Sequence, residues 1–129
     1  MTVFIVVNQE EFTIDVRGVY SSYERALESC LDRKEGFNLR RDILVRGVDG
    51  KLEEKFYYLA LDGERSVMEE DKVEGDFRVI DALEFDYYTT EVLGVKALAK
   101  SRGEALDLAS RILTAAEKLT GGDRGGQEN

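Results

Sequence analysis

Carboxylates are the side chains with which this 129-residue chain could do chemistry: it has 27 Asp and Glu, no His and a single Cys. Without imidazole there is no Ser-His-Asp triad, no Cys-His dyad, no histidine zinc helix and no histidine proton shuttle. The lone Cys30 excludes a disulfide framework or a thiolate zinc cluster within the chain. What is left is acid-held Mg²⁺ or Ca²⁺, aided by Lys or Tyr. Glu53-Glu54-Lys55 has the E-x-K spacing of some metal-dependent nucleases, where strand-borne acids hold the ion and the Lys steadies the charged transition state. Asp42 or Asp81 would supply a further ligand. The same triplet is ordinary cross-strand charge on a hairpin arm, and the motif lacks its expected context. No phosphate-binding glycine loop occurs, and neither Asp62-Gly63-Glu64 nor the stretch 71–76 repeats the calcium-loop pattern. The inventory implies no cofactor, no metal and no enzyme; a divalent-metal nuclease is the alternative.

The acids are unevenly spread. Residues 1–61 carry a net −2, residues 62–91 a net −8 and residues 92–129 a net +1, so the overall −9 is nearly all one 30-residue stretch. Its members fall into an expected loop cluster (Glu69, Glu70, Asp71, Glu74, Asp76) and a strand-borne set that includes Glu84 and Asp86, with Tyr88 beside it. A strip of like charge repels itself and adds nothing to folding. It either keeps the protein in solution or recognises a basic partner, raising the association rate by complementarity. Carboxylates fixed on a strand can imitate DNA phosphates and occupy a nucleic-acid-binding groove. Direct binding to nucleic acid is not expected, because the only local basic cluster is Arg40, Arg41 and Arg46. That cluster could pair with the strip in the same chain or in a second copy. Cys30 lies on an apolar helix face and reads as an inert buried thiol. The outward tyrosines of Phe56-Tyr57-Tyr58 and Phe85-Asp86-Tyr87-Tyr88 read as interface anchors.

Two helices and several strands must position these groups. Residues 2–7 are an unbroken apolar run, and Phe12, Ile14 and Val16 alternate with polar residues, so the first 20 residues read as a hairpin. Ser21 and Glu24 have capping-box spacing ahead of a helix over about 22–35 that buries Tyr23, Ala26, Leu27, Cys30 and Leu31 and ends at Gly36-Phe37. Asp49-Gly50 predicts a tight hairpin between 39–48 and 51–61, and Asp62-Gly63 predicts another before a short strand at 65–69. A change of alternation phase near 80–82 predicts a bulge or turn, with Leu83, Phe85, Tyr87 and Thr89 sharing one face beyond it. Ser101 to Glu104 opens a second amphipathic helix over about 102–119 that buries Ala105, Leu108, Ala109, Ile112, Leu113 and Ala116. The expected fold is α+β: one domain over 1–119, an antiparallel sheet of five to seven strands with both helices on one face, and a disordered tail over 120–129. Residues 15–19 echo 91–95 and each stretch precedes a Ser-x-x-Glu cap and an Ala-Leu pair, so either two strand–strand–helix units bracket the central meander or the echo is what any strand entering a capped helix gives. No stretch has the roughly 20 apolar residues of a membrane helix. The lone Cys and the absence of an export signal point to the cytoplasm.

Val3-Phe4-Ile5-Val6-Val7 followed by Gly18-Val19-Tyr20-Ser21-Ser22-Tyr23-Glu24-Arg25-Ala26 resembles a module of small uncharacterised phage and bacterial proteins, a hairpin running into a G-V-[FY]-S-S-x-E-x-A helix start. Leu93-Gly94-Val95, Ser101, Glu104-Ala105-Leu106 and Ala109 resemble the strand–helix core of HicB-type antitoxins, without the final strand and DNA-binding appendix of that family. Both resemblances imply a small acidic protein that binds and blocks another protein. The expected function is a non-enzymatic inhibitor, phage-encoded, of a host nucleic-acid-handling protein. Its acidic strip is the partner-binding site. A structural or oligomer-forming role, including a homodimer, is a further alternative.

Overall fold

The computed structural model describes residues 1–9, 13–32, 40–86 and 88–128, with backbone alone over 120–128. Its elements are β1 (Thr2–Gln9), β2 (Ile14–Tyr20), α1 (Tyr23–Ser29), β3 (Arg40–Gly47), β4 (Lys55–Asp62), β5 (Val67–Glu74), β6 (Phe77–Val79), β7 (Leu83–Phe85), β8 (Val92–Ala99) and α2 (Arg102–Glu128). They form an α+β structure, but with two four-stranded antiparallel sheets where the sequence predicts one. Sheet A has the order β2-β1-β3-β6 and sheet B the order β5-β4-β8-β7.

The apolar run of β1 is the centre of sheet A, paired with β2 on one side and β3 on the other. The first hairpin forms as predicted, with a register shift between Val6 and Val7. The second does not. β3 is already paired with β1 and β6, so β4 has no place beside it and crosses to sheet B, where it pairs with β5 and β8. Asp49 does take the positive φ that its Asp-Gly pair signals, yet that turn redirects the chain instead of closing a hairpin. Alternation reports which side of a strand is buried and says nothing of which strand lies next to it. The chain crosses back at Gly75, whose φ of 73° suits glycine, to lay β6 on sheet A. It returns through the turn predicted at 80–82, where Asp81 has φ 54°.

One hydrophobic cluster spans both sheets. Phe56 of sheet B links them, with its ring 6.1 Å from Phe4 and 6.4 Å from Phe77. All six residues predicted for the buried face of the second helix are buried, and α2 packs across β8 and β4. α1 lies instead against β1, β2 and β8, so the helices do not share one sheet face. The capping residue of α1 is Ser22, which accepts from Arg25 N–H at 3.2 Å, one position later than the predicted Ser21. The helix ends at Ser29; the proposed stop at Gly36-Phe37 lies outside the described residues, as do Phe12 and Tyr87. Ser101 accepts from Glu104 N–H at 3.3 Å, as its spacing predicts. α2 runs on to Glu128. Ile14 and Val16, predicted half-buried, are 60% and 58% exposed, because β2 is an edge strand with a neighbour on one side only. The two strand–strand–helix units are visible as β1–β2–α1 and β7–β8–α2, each an antiparallel pair followed by a helix.

Candidate protein-binding face

The predicted acidic strip does not form one surface. Glu69, Glu70, Asp71 and Glu74 lie on β5, a paired and largely exposed edge strand, and not in the loop expected from their polarity. Its partner β4 supplies the reason: Phe56, Leu59 and Leu61 give β5 a ladder to join, while β5 itself buries little. Pleating then divides the acids between the two sides of sheet B. Glu70 stands opposite Leu59, on the α2 side, where its carboxylate takes Arg102 Nε at 3.0 Å and the Tyr57 hydroxyl. Arg102 first, and Tyr57 after it, hold the Glu70 carboxyl below its ordinary range. Glu74 pairs with Lys55 at 3.3 Å.

Glu69 and Asp71 point the other way, opposite Ala60 and Tyr58. On that side Lys96 of β8 stands opposite Ala60. Its ammonium lies 3.3 Å from Glu84 of β7 and donates to Ile80 C=O at 2.5 Å. Two clefts of about 290 and 400 Å³ share Glu69 and Lys96 as lining. Glu84 and Met68 edge the smaller cleft, Asp71 and Ile80 the larger. Glu84 thus pairs with this ammonium, while Glu69 and Asp71 line the adjoining clefts, the smaller of which has Ala60 and Gly94 in its floor. The floor is low because β4 and β8 approach closely, and a Cβ on Gly94 would stand 2.8 Å from Leu61 O. Burial, with Glu69 next, pushes the Tyr58 phenol up to about 12, so it is a neutral donor here; its hydroxyl lies 3.5 Å from Glu69.

The remaining predicted residues serve the backbone. Asp76 accepts Leu52 N–H at 3.0 Å and so fixes the crossing from sheet A. Asp86 lies just past β7 and accepts the N–H groups of Tyr88 at 2.9 Å and Thr89 at 2.8 Å. Those bonds, Thr89 first, hold its carboxyl below the ordinary range. Tyr88 is 89% exposed on this turn and away from a strand face. The basic cluster is dispersed too: Arg41 donates to Ser29 C=O and Arg46 to Phe77 C=O, both inside sheet A's surroundings.

Lys55 and Asp42 of the nuclease reading, and Glu54 between the two motif positions, are engaged within the fold. Glu54 accepts from Lys100 and Thr2, Lys55 pairs with Glu74, and Asp42 is fully buried against Arg78 at 2.5 Å. Among the described residues no group of three His, Cys, Asp or Glu is placed to hold a metal ion. Sequence reasoning singles out Glu69, Asp71 and Glu84 but not Lys96. The signal was present, since a lone Lys in the apolar run Val92 to Ala99 must reach for a carboxylate. No described helix is long and apolar enough to cross a membrane. No family model, curated protein or solved structure matches the chain.

Proposed function

We propose that this is a non-enzymatic binding protein that docks the exposed Glu69, Asp71 and Glu84 side of sheet B on a basic protein surface. The observation that carries the reading is the pair of adjoining clefts lined by Glu69, Asp71 and Glu84, with Glu84 on Lys96 and with exposed Met68, Ile80 and Leu93 beside them. Lysine and arginine have apolar stems with charged heads, and a shallow apolar floor with a carboxylate rim complements both parts. The partner class is a nucleic-acid-handling protein, whose phosphate-binding groove supplies such a surface, and occupying that groove inhibits it. Within the cytoplasm of a phage-infected cell, this is an anti-defence role.

Immobilised protein is exposed to extract of the native cell and washed at low and at high salt, and each captured protein is assayed for release of bound duplex DNA. Salt-sensitive capture with DNA release is expected. The triple variant Glu69→Lys, Asp71→Lys, Glu84→Lys is expected to abolish both while keeping the native melting transition. Capture that survives the triple reversal overturns the proposal.

A further inference from the structure

A separate cavity lies away from that face. It has a volume of about 570 Å³, within the range of small-molecule sites. It opens where the start of β1, the start of α1, the end of β8 and the first turns of α2 meet. Three aromatic rings line its apolar part: Phe4 stands edge-on to Tyr23 at 5.8 Å and 80°, and edge-on to Phe56 at 6.1 Å and 76°. Four carboxylates, Glu24, Glu54, Glu104 and Asp107, face three cations, Lys100, Arg111 and the Met1 ammonium. Arg111 is held by Glu24 and by Asp107, the latter at 3.1 Å.

Lys100 shows what chemistry the walls accept. Its ammonium lies 4.1 Å from the Phe56 ring centroid while pairing with the Glu54 carboxylate. An alkylammonium from the chain itself thus occupies an aromatic face and an acid together, the combination by which proteins recognise organic cations. Glu54 is kept ionised for this, since Lys100 and then Thr2 hold its carboxyl below the ordinary range. The rest of the cavity continues the same pattern, with the side chains of Leu98 and Leu108 for methylenes and Glu104 as a further acid.

We infer that this cavity binds a small aliphatic ammonium ion, which takes the place of Lys100 over Phe56 and against Glu54. The excess of four carboxylates over three cations, one of which is the displaceable Lys100, selects the sign of the ligand, and the aromatic and leucine walls select an alkyl body over a bare metal ion. Lys100 is then a tethered competitor, swinging to solvent when the ligand enters.

Titration calorimetry of the full chain with pentylammonium at neutral pH tests this, with 1-pentanol and pentanoate as neutral and anionic probes of the same length. Saturable uptake of pentylammonium alone is expected. Glu54→Gln is expected to weaken it about tenfold, the usual scale for one charge-assisted hydrogen bond. Lys100→Met, which removes the competitor, is expected to tighten it several-fold, an effect that simple attraction to an acidic protein predicts only weakly and without need of Phe56. Phe56→Leu keeps apolar volume and is expected to lose several-fold in affinity; if its melting transition is disturbed, the Glu54→Gln and Lys100→Met pair decides. No saturable uptake, equal uptake of pentanol, or uptake indifferent to Glu54→Gln and Lys100→Met overturns the inference. The Glu69, Asp71, Glu84 reversal is expected to leave pentylammonium binding in place, so this site and the protein-binding face fail or stand separately.

Discussion

Strands β3 and β5 each carry a run of charged residues, Arg40-Arg41-Asp42 in one and Glu69-Glu70-Asp71-Lys72 in the other, and the fold treats them in opposite ways. β3 has a neighbour on both sides, and its Arg41 and Asp42 are buried. Arg41 donates to the last residue of α1. Asp42 accepts Arg78 Nε at 2.7 Å and Asp81 N–H at 2.8 Å, so one carboxylate fixes β6 and the turn that leads to β7. β5 has one neighbour, and its four charges stand in water. Charge on β3 is architecture, and charge on β5 is surface. The position of the strand in its sheet decides which, and the composition of the strand does not.

The largest effect expected from this contrast concerns Cys30, at the C-cap of α1 close to Arg41 and Asp42. Burial pushes its thiol up to about 12, with Arg41 the main opposing influence. With an ordinary value of 9.0, the native thiolate fraction near neutral pH falls about a thousandfold. Labelling by a thiol reagent is therefore expected to be about that much slower in native protein than in urea. Fast native labelling would mean that the β3–α1 contact opens readily.

Asp42→Ala comes next. It leaves the Arg78 guanidinium without its carboxylate and frees Asp81 N–H, at an expected cost of about 3–5 kcal/mol in urea unfolding. Asp42→Ala with Arg78→Met is expected to recover most of that loss, because no unpaired charge then remains. If the single variant costs no more than a β5 substitution, the distinction between the two strands collapses.

How much of this was legible beforehand follows the same line. The predicted faces of both helices, the first hairpin and the turn at 80–82 came from local periodicity and capping, which act over a few residues. The division into two sheets was not legible, because the crossing after Asp49-Gly50 depends on β6 having claimed the free side of β3 from 30 residues away. For the same reason the acids of β5 looked like a loop: four charges in a row resemble solvated coil until β4 offers a ladder. The convergence of Glu69, Asp71 and Glu84 depends on sheet order, so it was hidden, although each residue had been singled out.

Asp81 tests the boundary between the two regimes, since it touches both. Burial, and after it the charge of Glu84, hold its carboxyl above the ordinary value of 3.8. The folded state thus prefers the protonated form. The cost of ionisation is absent below that ordinary value and fully present once pH exceeds the raised folded one. Asp81→Asn is expected to stabilise at pH 7 and to have no effect near pH 3. Asn tolerates the φ of 54°, and the Asp81 N–H bond to Asp42 is kept. Half-burial leaves water to screen the gain, which is expected to be under about 1 kcal/mol. A gain that persists at pH 3 would assign the effect to shape instead of charge.

The smallest effect is expected where the acids are densest. Glu69→Gln with Asp71→Asn removes two of the charges proposed to meet a partner, yet neither has a described ion pair to lose, and the amide oxygens can still accept the bonds from Tyr58 O–H and Lys72 N–H. Urea unfolding at physiological salt is expected to be unchanged. At low salt a slight stabilisation is expected, because the variant relieves repulsion within the −8 stretch, and it should vanish as salt screens those charges. The opposite sign, a loss of stability that salt does not remove, would show that β5 depends on these carboxylates for its own pairing. Their concentration on this strand would then need no partner to explain it, and the contrast with β3 would become one of degree.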